Sequence, residues 1–269
     1  MLSLTLHLLV ALAAAAAGAA SPEQSMGFAC GAGMPSNQLI AAHEFYSQHK
    51  GAARRSQGPP KVKVAVWLHV IASSVKSETG RMTINTMKKQ LALLNSDFAK
   101  TGFSFYLKAF DRTFNHRWAQ GLDKPTMKSA LHKGKMDTLN VYVVERVEYN
   151  SSAIVGECAL PSHGLGYRDG IVINVSTVPR GRDNRNRIRF GRTLTHETGH
   201  WLGLLHPFHA QQCGVDGDYV DDTPPQAHPS RECGQSSSCT GPETAVVDNI
   251  MDYYPESVAP IRAGTKRRG

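Results

Sequence analysis

Eleven consecutive residues hold most of the chemistry that this chain can do: His196-Glu197-Thr198-Gly199-His200-Trp201-Leu202-Gly203-Leu204-Leu205-His206. On a helix, positions i and i+4 share a face, so the imidazoles of His196 and His200 can meet one small cation. Glu197 follows the first ligand and points toward the open side of that ion, where a carboxylate can take a proton from water. Gly203 can adopt a left-handed backbone and end the helix. The chain can then turn and bring His206 to the same ion as a third nitrogen. Three protein ligands with one position left for water describe a catalytic zinc centre, not a closed structural one. With no thiolate among those three, the ion also stays a good Lewis acid.

Several elements must exist to position this string. Asn37–His49 has helical spacing of Leu39, Ile40 and Phe45, and the Gly- and Pro-containing stretch Gly51–Pro60 reads as an exposed linker. Val62–Ile71 is β-branched and alternating, hence a strand. Thr83–Lys100 places Ile84, Met87, Leu91, Leu94 and Phe98 on one stripe of a helix. Phe103–Phe110 alternates as a strand, Thr126–His132 is a short helix, and Leu139–Val147 and Gly170–Val175 are strands. The helix with the histidines runs from about Arg192 to Leu204. Beyond His206 the chain turns to Gly, Pro, Asp and Cys with little periodicity. An extended peptide is expected to add itself to an edge strand, assigned here to Gly170–Val175.

The 269 residues are 41% hydrophobic and 19% charged, a globular composition. Thirty Lys and Arg against 22 Asp and Glu give a formal charge of +8. No nucleic-acid module motif accompanies that charge, so no nucleic-acid partner is assigned. Arg180, Arg182, Arg185, Arg187, Arg189 and Arg192 form a basic loop before the histidine helix. Met1–Ala20 has the apolar run Leu6–Ala17 and then Gly18, Ala19 and Ala20, the pattern of a secretory leader. No second long apolar run follows, so no stable membrane insertion is expected. Residues 1–20 are therefore read as leader, 21–55 as propeptide and linker, and 56–269 as the catalytic domain. In an oxidising compartment the five cysteines, Cys30, Cys158, Cys213, Cys233 and Cys239, leave at least one without an intramolecular disulfide. Cys30 has two readings: a thiolate that occupies the water position of the zinc until its segment is cut away, or a disulfide to Cys158 or Cys233. Asn150-Ser151-Ser152 and Asn174-Val175-Ser176 are glycosylation sequons at Asn150 and Asn174.

The eleven-residue string resembles the metzincin signature, and Asn249-Ile250-Met251-Asp252-Tyr253 resembles its downstream Met-turn. Together with Gly217-Asp218-Tyr219-Val220-Asp221-Asp222-Thr223-Pro224, the string is similar to the pappalysin family, which includes secreted fungal metalloproteases and ulilysin. The resemblance spans approximately residues 27–257. It implies an α+β, metzincin-like zincin fold. A twisted mixed sheet and the active-site helix would form the upper lobe, and a disulfide-stapled irregular part the lower lobe. It implies a secreted zinc-dependent endopeptidase acting on extracellular proteins or peptides.

For individual residues, the resemblance implies that Met251 forms the apolar floor beneath the zinc and that Tyr253 hydrogen-bonds the oxyanion. It implies a Cys213–Cys239 disulfide. Asp222 and Thr223 correspond to a region that binds calcium in relatives; a solvated acidic loop is the other reading. Glu256 corresponds to an acidic residue lining the pocket for the residue after the scissile bond, where it would favour Arg or Lys. Self-cleavage before Arg54 or Arg55 would follow. Relatives carry a further cysteine and a terminal helix after the Met-turn, whereas only 18 residues follow Met251 here, so the C-terminal part is expected to be shortened. The alternative function that follows is a secreted zinc-binding protein or an inactive relative. Glu197 argues against it, because a binding module needs no base there.

Overall fold

A computed structural model of the chain describes residues 30–49, 61–179, 190–209, 213, 217–220, 223–230, 239 and 249–253. The proposed leader, the whole linker Gly51–Pro60 with Arg54 and Arg55, residues 180–189, Asp222, Cys233 and Glu256 lie outside the described residues.

Hydrophobic alternation and β-branched content build a five-stranded sheet in the order β2-β1-β3-β7-β6. Strand β1 (Val62–Ala72) runs parallel to both β2 (Phe103–Phe114) and β3 (Thr138–Val144). Strand β7 (Ile171–Asn174) is parallel to β3, and β6 (Gly156–Cys158) runs antiparallel to β7 at the edge. A hairpin of β4 (Val147–Tyr149) and β5 (Ser152–Ile154) turns through Asn150 and Ser151, both at positive φ.

Helix α1 (Asn37–Gln48) precedes the sheet, and a single turn, α2 (Glu78–Arg81), follows β1. Helix α3 (Ile84–Asp97) starts where the Thr83 side chain accepts the Thr86 N–H, an N-cap that satisfies an otherwise orphaned donor. Its buried Met87, Leu91 and Leu94 pack on one face of the sheet with Val66, Leu68, Leu139, Val141, Ile173 and Leu194. Leu194 comes from α6 (Arg192–Trp201), the helix with the histidines. The opposite face is covered by α4 (His116–Ala119) and α5 (Lys124–Leu131), where Ala119 and Met127 meet Ile71, Tyr142, Val144 and Val172.

Three expectations are corrected. Strand β3 stops at Val144, because the Glu145 and Arg146 N–H groups both leave the ladder for the Ala119 carbonyl, at 2.9 and 3.1 Å. Helix α6 stops at Trp201, because Gly203 takes φ +99° and reverses the chain. The edge strand beside the helix is not Gly170–Val175. Strand β7 has β3 on one side and β6 on the other, so β6 is the edge strand, bridged at Gly156 by Cys30.

Candidate metal centre

Helix α6 is buried from Thr193 to His200, an unusual place for polar side chains unless they satisfy one another or an ion. The i, i+4 spacing sets the rings of His196 and His200 on one face with their Nε2 atoms 3.2 Å apart. The Gly203 turn carries the chain back so that His206 Nε2 lies 3.0 Å from His200 Nε2 and 3.3 Å from His196 Nε2. Zn–N bonds of about 2.05 Å in a tetrahedron would place nitrogens about 3.3 Å apart, close to this triangle.

The hydrogen bonds behind the rings explain why a cation fits. A carbonyl only accepts, so the 2.7 Å contacts of His196 Nδ1 to Ile250 O and of His200 Nδ1 to Leu204 O put the ring protons on Nδ1. Bare Nε2 lone pairs then face each other across 3.2 Å with no proton between them. Burial lowers the His196 pKa to about 4 and, with the charge of its neighbour, that of His200 to about 3. Burial and the neighbouring histidines push His206 well down too. Neutral, converging, buried imidazoles are what a metal ion requires.

A fourth ligand atom comes from far away in the chain. Cys30 Sγ lies 3.2 Å from both His200 Nε2 and His206 Nε2. Its ligand atom and those of the three histidines lie within 4.8 Å of one another; among the described residues this is the one such group. Backbone contacts hold the cysteine there. Cys30 forms a parallel bridge with Gly156, and the Gly31 N–H donates to Gly156 O at 3.0 Å. The Tyr253 hydroxyl accepts the Cys30 N–H and donates to Cys30 O, each at 3.3 Å. Cys30 and Cys158 are both free thiols, so the Cys30–Cys158 disulfide is not formed. Burial, reinforced by the Glu197 charge, raises the Cys30 pKa.

Glu197 is fully buried and, among the described residues, neither carboxylate oxygen has a well-formed hydrogen bond; the neighbouring Cys30 thiol is the one group that eases its charge. Desolvation pushes its pKa well up, and the Glu157 charge adds to that. A Cβ on Gly156 would come within 2.6 Å of Glu197 Oε1, so the edge strand and the acid are in close contact. Below α6, the Met251 sulfur fills the space that a side chain at Gly199 would need. The Met251 turn is tied by Asn249 Oδ1, which accepts the Met251 N–H at 2.9 Å. It is tied also by Asp252 Oδ1, which accepts from the Ser230 and Tyr253 amides.

Other singled-out residues lie elsewhere. Cys213 and Cys239 form a disulfide across 26 positions. The Thr223 N–H donates to Val220 O, but its expected calcium companion Asp222 is outside the described residues. Asn150 is exposed on the β4–β5 turn. Asn174 does not present a glycan acceptor: it is buried, with its Nδ2 donating to Glu145 O at 3.0 Å. Sequence reasoning placed Asn249 and Asp252 in the Met-turn without a role for either, and missed Gly156 and the Ile250 and Leu204 carbonyls. No residue-type signal marks a backbone acceptor, and Gly-Glu-Cys is too short to show alternation.

A twisted sheet over a helix with two histidines, a third histidine after a glycine turn and a methionine turn beneath them define a metzincin-like metallopeptidase. The peptidase family described as pregnancy-associated plasma protein-A matches residues 125–261. An extracellular metalloprotease of Pyricularia oryzae is 35% identical over 262 residues, covering 93% of this chain and 88% of that protein. One of Arthroderma gypseum is 41% identical over 204 residues, covering 73% and 67%. The chain belongs to this peptidase family and is a metalloendopeptidase. Among solved structures, Tannerella forsythia mature mirolysin in complex with a cleaved peptide shares the fold, with TM-score 0.57, 22% identity and coverage of 74% of this chain and 85% of that one. Promirolysin from the same organism gives TM-score 0.61, 21% identity and coverage of 82% and 81%.

Proposed function

We propose that this chain is a secreted zinc endopeptidase made as a latent precursor. The observation that carries the reading is the triangle of buried Nε2 atoms, 3.0–3.3 Å on a side, with a buried carboxylate on the residue after His196. His196, His200 and His206 would hold the ion. Zinc held there would supply a Lewis acid for the scissile carbonyl and for a water at the fourth position. Glu197 would accept a proton from the attacking water as the water oxygen bonds to the carbonyl carbon, and would deliver that proton to the leaving amine nitrogen as the C–N bond breaks. The Tyr253 hydroxyl donates to the carbonyl oxygen as negative charge builds on it. A substrate lies beside β6 and uses the Gly156 carbonyl as its backbone acceptor.

In the precursor, those same groups serve Cys30 and Gly31. The thiol stands over the histidine triangle, Gly156 O accepts from Gly31, and Tyr253 binds the Cys30 backbone. Removal of the 21–55 segment would free all three. Secretion rests on the leader pattern of residues 1–20 and on relatives named as extracellular. Glu256 would select Arg or Lys after the scissile bond, and a glycan would sit on Asn150.

The decisive assay is azocasein digestion by the mature chain, with and without a chelator, beside Glu197→Ala. Loss of a base of this kind is expected to cost at least 100-fold in kcat with zinc retained. Equal activity in wild type and variant would sink the assignment. Cys30→Ala in the precursor is expected to release activity before any cut; a variant as silent as wild type would remove Cys30 from latency.

A further inference from the structure

The end of α6 is fixed by a carboxylate that no step above uses. Asp169, 1% exposed, accepts the Trp201 indole N–H through both oxygens, at 3.1 and 3.2 Å. Trp201 is the last residue of the helix, next to ligand His200 and two residues before Gly203, where the chain reverses toward His206. Asp169 is itself anchored. Lys128 Nζ donates to the carbonyls on both sides of it, Arg168 O and Gly170 O, each at 3.0 Å. Gly170 sits at φ +99°, and a Cβ there would lie 2.6 Å from Asn140 O, so the loop is pressed directly on β3. A buried carboxylate is costly to desolvate, and an apolar contact would pack the same space at less cost. What the carboxylate adds is direction: an indole N–H must point at it.

We infer that Asp169 is a positioning residue for the metal centre: by holding Trp201 it fixes where α6 ends and so where His206 arrives. The other half of the helix has its own tether, Thr195 Oγ1 donating to Asp97 Oδ2 on α3 at 2.8 Å. That tether lies a turn before His200, so it secures the helix without governing the turn. The Asp169 tether stands at the departure point of the third ligand. It also lies one residue from His200, whose Nδ1 bonds Leu204 O on the far side of the same turn.

This inference rests on the zinc reading above, and the test separates the two. The full zinc-loaded chain is titrated with a chromogenic chelator, and zinc retention is read directly. Asp169→Ala and Trp201→Phe are each expected to yield zinc about tenfold more readily, the scale typical of groups that orient metal ligands. The double variant should be no worse than the weaker single, because both remove one interaction. Asp169→Asn keeps an acceptor for the indole and should stay within about threefold of wild type. Thr195→Val should lower the melting temperature without changing retention. Retention in Asp169→Ala equal to wild type, or losses that multiply in the double variant, would overturn the role. A wild-type chain that takes up no zinc would instead sink the zinc reading itself. Should Asp169→Ala fail to fold, Trp201→Phe, which keeps an aromatic ring, decides alone.

Discussion

Every residue of β1 from Val62 to Ala72 has a partner on β2, and six of them have a second partner on β3. Segments 223–230 and 249–253 are held quite differently. Gln226 N–H reaches Pro207 O, Cys239 N–H reaches Pro225 O, Asp252 binds Ser230, and Ile250 O binds His196. A ladder is redundant, so losing one rung leaves the others in register. Among the described residues, the contacts of segments 223–230 and 249–253 are single ones that converge on three imidazoles, joined by the Cys213–Cys239 disulfide. The sheet is therefore held by its own pairing, while segments 223–230 and 249–253 lean more on what holds the histidines together.

Metal removal tests that difference most severely. Chelation is expected to abolish peptidase activity and to raise amide exchange at residues 204–209 and 249–253 by about tenfold or more. Amides of β1 and β3 should keep their protection. Equal loss of protection in both halves would mean that the sheet depends on the ion too, and the contrast would fail.

The same contrast explains what was legible in the sequence. Strand β1 and helices α3 and α6 announced themselves because one periodic face had to be buried. The three histidines of the candidate metal site were legible because imidazoles at fixed helical spacing have few other uses. Strand β6 was not, since three residues cannot show a period. Ile171-Val172-Ile173 misled for a readable reason: a continuous apolar run marks a strand covered on both faces, and here it also has a strand on each side. Asn174 looked like a glycan acceptor because a sequon says nothing of burial. Cys30 was legible as a zinc-competent thiol, but its seat on Gly156 and Tyr253 depends on pairings more than 120 residues apart, which no local pattern encodes.

A second prediction sharpens the boundary between the halves, where β6 touches the acid of α6. In Gly156→Ala, the new methyl would sit 2.6 Å from Glu197 Oε1, and the carboxylate must move. Displacement of a reacting group by about 1 Å is worth roughly 100-fold in rate. The expected result is a kcat reduced on that scale with zinc content unchanged. Activity within twofold of wild type would show that Glu197 has room to adjust and that the edge strand does not set its position.

The smallest effect concerns the sheet half alone. Glu145 closes the end of β3. Burial works to raise its pKa, but the Ser73 amide at 2.9 Å and hydroxyls of the 73–79 loop outweigh that and hold it at about 2, against an ordinary 4.5. Gln120 Nε2 donates to the other oxygen at 3.0 Å. Because the folded pKa is the lower one, this stabilisation is fully present above about pH 4.5 and is lost as pH falls toward 2. The carboxyl is partly exposed, so solvent screening reduces the contribution to about 1 kcal/mol. Glu145→Gln replaces an acceptor of several donors by a group with its own N–H atoms. Urea unfolding should find the variant about 1 kcal/mol less stable at pH 6, with the gap closing as pH approaches 2. Any loss of bound metal in acid would affect both proteins alike and cancel in the difference. A gap that stays constant with pH would show that the charge is not what holds the loop, and the sheet half would then owe its order to the ladder alone.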